Sequence, residues 1–187
     1  MNKITLAPGI VVYKNLEMDI MPFILKFKDD DWSDEYVLHG TGVIDVDKEV
    51  RSTRSFEVPY NLLKAENQGL SEITNTIISS INEAEQDYFF DHFIEPKSHQ
   101  DFKILRYIKG DHFSSHSDDG GGTFRRVSTV YYINDDYQGG EIEFTRFGVL
   151  YKPEARDFIV FPSSYVYTHR VLPVTDGIRY AIGSWIR

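Results

Sequence analysis

The apolar and polar positions change period about halfway along the chain. Upstream, Leu70, Ile73, Ile77, Ile81, Ala84 and Tyr88 recur at steps of three and four, which makes one face of a helix predicted over Glu72 to Phe93. Ser71 is its candidate N-cap and Pro96 its stop. A first strand is predicted over Ile10 to Tyr13 and a helical stretch over Leu16 to Phe27, broken or kinked at Pro22. From residue 103 the period is that of strands, predicted at Lys103–Ile108, Val127–Ile133, Glu141–Phe144, Asp157–Phe161, Val166–Leu172 and Arg179–Ile186. Turn clusters separate them: Asp118-Asp119-Gly120-Gly121-Gly122, Asn134-Asp135-Asp136, Gln138-Gly139-Gly140 and Thr175-Asp176-Gly177. Many short strands at this spacing predict a sandwich or barrel with helices packed outside. No repeat or low-complexity linker interrupts the pattern. The expectation is one domain over residues 1–187, with an N-terminal helical support of about 1–100 and a strand-rich half of about 103–187.

Composition sharpens this picture. Aromatic residues are 14% of the 187, with 13 Phe and 12 Tyr, which suits β-rich packing and lined pockets. There is no cysteine, so disulfides, thiolate metal sites and cysteine nucleophiles are all excluded, and any metal must take nitrogen and oxygen ligands. No apolar run is long enough for a membrane span, and a cytoplasmic protein is the default expectation. A net charge of −9 disfavours a general nucleic-acid binder, although the Arg125-Arg126 pair still attracts a particular acidic group.

His116-Ser117-Asp118 is an H-x-D triplet, and residues two apart on a strand point to one face. With a distant His169, two imidazoles and one carboxylate would hold one face of an octahedron and leave positions open, an arrangement that suits non-haem iron(II). Zinc accepts the same ligands in hydrolytic sites, and Asp118 beside Asp119 before a glycine run also reads as a solvated turn. Spacing alone leaves these alternatives open.

The wider sequence separates them. Tyr107-Ile-Lys-Gly-Asp-His-Phe-Ser-Ser-His116-Ser-Asp118 resembles the segment that opens the catalytic sheet of prolyl hydroxylases in the iron(II)/2-oxoglutarate oxygenase superfamily. Arg125-Arg-Val-Ser-Thr-Val-Tyr-Tyr132-Ile-Asn-Asp-Asp followed by Gly139-Gly140-Glu141 resembles the family's next strand, turn and return strand. The block from His169 through Arg179 to Trp185 is similar to its closing segment. The resemblance covers about residues 103–187, with a weaker echo upstream in Ala7-Pro-Gly-Ile-Val-Val and the long helix.

The resemblance implies a mainly β fold with supporting helices around a double-stranded β-helix, the jelly-roll or cupin-like core. It implies a dioxygenase that hydroxylates a C–H bond, with a prolyl residue of a peptide or protein as the expected substrate and another residue or a small molecule as the alternative. The expected cofactors are Fe(II) held by His116, Asp118 and His169, 2-oxoglutarate, O2, and ascorbate as reductant. Arg179 is expected to grip the far carboxylate of 2-oxoglutarate through two parallel hydrogen bonds, helped by Tyr132 and with Tyr107 lining the pocket. Arg125 or Arg126, and Trp185, are expected to face the substrate. Lys48–Pro59, carrying Arg51, Arg54 and Phe56, is a candidate lid or an ordinary charged connection. Gly139-Gly140 is read as a tight return rather than chemistry, and His39, His92, His99 and His112 have no motif support. The plain architecture fits a bacterial or bacteriophage enzyme. Nucleic-acid demethylation is disfavoured, because Trp185 stands where that branch has a second arginine. A non-catalytic binding barrel is disfavoured because the triad and the clamp are all filled. Oligomeric state is not readable.

Overall fold

Two runs of apolar residues, Ile10–Tyr13 and Phe158–Phe161, show how the fold is organised. Along each run the side chains alternate between two cores: Val11, Tyr13, Phe158 and Val160 join one cluster, and Ile10, Val12, Ile159 and Phe161 the other. An unbroken apolar run with period-two alternation is a strand covered on both faces. The computed structural model describes residues 1–39, 41–61, 68–120 and 122–187.

The strands are β1 (Lys3–Ala7), β2 (Ile10–Tyr13), β3 (Ser33–Asp34), β4 (Val37–Leu38), β5 (Ile44–Asp45), β6 (Arg54–Val58), β7 (Phe102–Tyr107), β8 (Phe113–His116), β9 (Val127–Tyr132), β10 (Gln138–Gly139), β11 (Ile142–Phe144), β12 (Val149–Tyr151), β13 (Phe158–Pro162), β14 (His169–Val171), β15 (Val174–Asp176) and β16 (Arg179–Ile186). An antiparallel sheet of eight runs in the order β1-β2-β13-β9-β16-β7-β6-β3. A smaller sheet of four runs β12-β11-β14-β8. Ile142 and Phe144 of the small sheet pack with Ile10, Val12, Tyr132, Ile159, Phe161 and Ala181 of the large one. The two sheets therefore share an inner core, as expected for a double-stranded β-helix.

The outer face of the large sheet is covered by the long helix α2 (Gln68–Asp91), which buries Ile73, Ile77, Ile81, Ala84 and Tyr88. It starts earlier than predicted and places Ser71 inside its first turns. It ends near Phe93, whose φ of 53° leaves the helical region. The other predicted helix is reduced to one turn, α1 (Met21–Ile24), with Pro22 at its start. Leu16, Ile20 and Ile24 are buried in the outer core instead, and so short a helix owes its form to that packing rather than to propagation.

The N-terminal hundred residues are consequently more than a helical support. They contribute β1, β2, β6 and β3 to the large sheet. Sequence reading missed β1, β8 and β12, which are short or carry polar residues; β8 reads Phe-Ser-Ser-His. The candidate lid Lys48–Pro59 is corrected in part, since Arg54 to Val58 pair with β7 inside the large sheet. Ser55 and Val58 are buried there, which pins this half of the segment. Gly121 of the predicted glycine turn lies outside the described residues. No described helix is long and apolar enough to cross a membrane.

Candidate metal and anion site

The small sheet sets the geometry of the triad. His116 ends β8, His169 begins β14, and the two are direct partners across the antiparallel pair. Their ring centroids lie 4.3 Å apart. Asp118 lies past the end of β8, in the bend that follows, so its direction comes from the turn and not from the strand pleat assumed from sequence. Its carboxylate oxygens stand 3.6 Å from Nε2 of His116 and 3.8 Å from Nε2 of His169. One ligand atom from each of the three residues falls within 4.8 Å of the others.

The hydrogen bonds of the imidazoles prepare them as ligands. Nδ1 of His116 lies 2.8 Å from the Ser114 carbonyl, and Nδ1 of His169 lies 3.1 Å from the Tyr167 carbonyl. A carbonyl only accepts, so each Nδ1 carries the proton and each Nε2 presents its lone pair towards Asp118. Burial, together with His116, lowers the His169 pKa to about 4, which keeps that ring neutral. Burial opposes ionisation of Asp118, but His169 and His116 outweigh it and hold the carboxyl well below the usual carboxylate range. Two imidazole Nε2 atoms and an ionised carboxylate are a donor set that fits a divalent cation such as iron(II).

Deeper in the same cavity lies a cation. Arg179, at the start of β16, is 1% exposed, and its Nε and Nη1 have no hydrogen-bond partner. It makes no ion pair among the described residues. Its guanidinium carbon sits 4.5 Å from the ring centroid of Tyr107, its register partner on β7, and 5.0 Å from that of Tyr132 on β9. The hydroxyls of Tyr132 and Tyr137 are also buried without partners. Burial pushes both phenols up, so they keep their protons and remain donors. A buried, unpaired guanidinium beside two unused phenol donors is an anion cradle shaped for a carboxylate.

Glycine makes the cradle possible. Gly140 has φ +67°, and a Cβ there would meet Arg179 Cδ at 3.0 Å and Tyr137 Cε2 at 3.1 Å. Gly139 approaches Pro173 O so closely that a Cβ would lie 2.2 Å from it. The glycine pair lets the backbone close against Arg179 in the β10–β15 pairing, which the reading as a simple tight return did not include.

The outer wall separates the two candidate arginines. The Arg125 guanidinium stacks 3.9 Å over the Trp185 ring, and its Nη1 donates to the Asp118 carbonyl at 3.4 Å. Arg126 points the other way, exposed, with Nη1 donating to the Glu95 carbonyl at 3.2 Å. Sequence reading missed Tyr137 and also a packed chain through Arg51. Arg51 pairs with buried Glu35 at 2.8 Å and lies 4.4 Å over the Phe113 ring, which itself stacks 3.5 Å from His116. Burial disfavours the ionised form of Glu35, but Arg51 and Lys103 outweigh it and hold the carboxyl below its ordinary range. His112 bonds to Ser52 and to the Glu49 carbonyl and stays outside the triad.

Residues 102–187 match the model of the 2OG-Fe(II) oxygenase superfamily. Over that segment the chain is similar to this superfamily. A PKHD-type hydroxylase of Rippkaea orientalis is 41% identical over 100 residues, which are 49% of this chain and 44% of the relative. Human prolyl 3-hydroxylase 2 is 38% identical over 68 residues, which are 34% of this chain and 10% of that protein. The chain spans about half the length of the PKHD-type relatives it matches. Among solved structures, a Trichoplax adhaerens prolyl hydroxylase in complex with a hypoxia inducible factor peptide superposes with TM-score 0.75 at 16% identity. That match covers 95% of this chain and 83% of the neighbour. A Pseudomonas putida prolyl-4-hydroxylase superposes with TM-score 0.72 at 17% identity, over 96% and 92%. At these identities the superpositions establish the shared jelly-roll fold.

Proposed function

We propose that the protein is an Fe(II)- and 2-oxoglutarate-dependent hydroxylase acting on a prolyl residue in a peptide or protein. The observation that carries this reading is the unpaired Arg179 guanidinium, buried in the same cavity as the His116–Asp118–His169 triad. A hydrolytic zinc site can be built from the triad alone, without a buried guanidinium in the same cavity. A dicarboxylate cosubstrate that reaches from the metal to the guanidinium uses both.

In this reading His116, Asp118 and His169 would hold the iron, which would bind cosubstrate and dioxygen beside them. Bound iron with 2-oxoglutarate and dioxygen supplies the oxidising chemistry, which hydroxylates a C–H bond as 2-oxoglutarate is decarboxylated to succinate. The chain supplies positioning. Arg179 receives the distal carboxylate, Tyr132 and Tyr137 donate phenol hydrogens to it, and Tyr107 braces the guanidinium from its ring face. Leu105, Val130, Ile142 and Val171 line the cavity between the two poles and keep water out. Arg125 and Trp185 form the wall where a substrate would lie. Ascorbate, as the reductant that keeps the metal divalent, belongs to the same proposal. The proline assignment draws on the alignment with prolyl 3-hydroxylase 2 and on the segments quoted from the sequence.

Anaerobic titration with Fe(II) and 2-oxoglutarate is the test. A weak visible charge-transfer absorption, absent with Asp118→Asn, is the expected result, and its absence from the wild type refutes the oxygenase reading. With the oxygenase established, proline-containing peptides are screened by mass spectrometry for a gain of about 16 Da that requires 2-oxoglutarate. Turnover of a free amino acid with failure on every peptide refutes the substrate class.

A further inference from the structure

The Arg125-Arg126 pair divides between two tasks, and only Arg125 is used by the site above. Arg126 belongs to a second feature. Its backbone N–H donates to the Ile186 carbonyl at 2.8 Å. Arg187 donates to the Ser98 carbonyl at 2.9 Å, and Lys97 donates to the Arg187 carbonyl at 2.7 Å. Three neighbouring stretches of backbone thus bring Lys97, Arg126 and Arg187 together beside the ends of the central strands β9 and β16, and all three side chains are exposed. Together with Arg125 they line an open depression of about 520 Å³.

The charge balance there runs opposite to that of the whole chain. Acidic residues outnumber basic ones by 29 to 20, yet this depression has four cationic side chains and one carboxylate, Asp119. None of the four forms an ion pair among the described residues, whereas Lys3, Lys14, Lys48, Arg51, Arg54, Lys103, Arg106, Arg156 and Arg170 all do. Phe124 stands at its rim, 76% exposed, with a φ of 55°. An exposed aromatic beside unpaired cations offers an apolar anchor next to an anion-seeking surface.

This depression adjoins the metal groove. Arg125 and Asp119 line both it and the groove of about 610 Å³ that contains His116 and Asp118. A chain lying in the groove can pass over Arg125 into this depression and meet the cations. We infer that this basic patch is the docking track for acidic residues flanking the hydroxylated position, so that the substrate is an acidic peptide segment. The inference rests on the proposed peptide hydroxylase and narrows its substrate class. The net charge of −9 does not oppose it at contact range, because fields beyond about 8–10 Å are screened at physiological salt. The same net charge disfavours a long polyanion such as nucleic acid, which would extend past the track onto acidic surface.

The test is fluorescence anisotropy on the full chain with labelled peptides that carry a central proline flanked on both sides by Glu, by Gln or by Lys. At low salt the Glu peptide is expected to bind about tenfold more tightly than the Gln peptide, with the advantage vanishing towards about 1 M salt. Lys97→Gln/Arg126→Gln/Arg187→Gln is expected to abolish the advantage and leave the Gln peptide unchanged, with the far-UV circular dichroism and melting temperature of the wild type. Equal binding of the Glu and Gln peptides, no binding of the Glu peptide, or a preference retained in the triple variant overturns the inference. So does a DNA oligonucleotide of matched charge that competes at lower concentration than the Glu peptide. Failure of the oxygenase reading is seen separately, as a missing charge-transfer absorption, which these anisotropy measurements do not involve.

Discussion

Replacing Arg179 with methionine should move stability and cosubstrate binding in opposite directions. The guanidinium is 1% exposed, with Nε and Nη1 unpartnered. An uncompensated buried charge costs several kcal/mol even after local relaxation. The ring faces of Tyr107 and Tyr132, at 4.5 and 5.0 Å, each return about 1–2 kcal/mol. The remainder leaves the ligand-free protein strained by about 1–3 kcal/mol, and an apolar side chain of similar length removes that strain. For a chain of 187 residues, each kcal/mol shifts the melting temperature by about 2–4 °C. The ligand-free Arg179→Met protein should therefore melt roughly 2–12 °C above the wild type. Cosubstrate binding should weaken by about 3–5 kcal/mol, the usual effect of removing one partner from a buried ion pair. That is two to three orders of magnitude or more in dissociation constant. Melting followed by circular dichroism, with and without 2-oxoglutarate under anaerobic Fe(II), reads both effects, and calorimetric titration gives the affinity. Wild-type affinity in the variant removes Arg179 from the cosubstrate site. A lower melting temperature for the ligand-free variant shows that the guanidinium is satisfied without ligand, and the reasoning then fails at its first step.

Two further outcomes follow from the same geometry. Gly140→Ala places a methyl 3.0 Å from Arg179 Cδ at a φ of +67°. It should lower stability by about 1–2 kcal/mol and weaken 2-oxoglutarate binding, as checked by urea denaturation and calorimetry; unchanged binding would mean that the Arg179 stem has room to shift. For pH, the pKa of His169 is depressed from 6.5 to about 4 in the folded metal-free protein, so between those values the unfolded chain binds the extra proton. Stability contributed by the neutral buried ring is complete above about 6.5 and is lost as pH falls towards 4, for a total of about 3 kcal/mol. Denaturation midpoints of metal-free protein from pH 7 to 4 measure this, and His169→Gln should flatten part of the slope; an unchanged slope would assign the acid sensitivity elsewhere.

The elements that could be read without coordinates are those whose periodicity reflects burial on a single helix face or on alternating strand faces. The α2 helix shows its buried stripe at steps of three and four, and β16 is found with the bounds predicted for it, Arg179–Ile186. His116, Asp118, His169 and Arg179 were likewise visible as residue types in order, because their chemistry admits few substitutes. The rest depended on contacts between distant segments. Leu16 to Phe27 has helical spacing, but its apolar side chains are taken by the outer core, and one turn of helix remains. Tyr137 joins the cradle only because Gly139 and Gly140 let β10 close on β15, and nothing around it in the sequence signals that.

Arg51 reaches Phe113 and His116 through a bridge between residues far apart in the chain. The pairing of His116 with His169, which makes a candidate metal site out of an H-x-D and a lone histidine, is a matter of register between β8 and β14. Arg125 and Arg126 are adjacent and chemically identical, so the choice between them came from which side of an extended backbone each occupies. Residue chemistry along the chain is local and survives in sequence. Convergence of the triad, Arg179 and the basic patch is a property of long-range strand pairing, which only the folded structure contains.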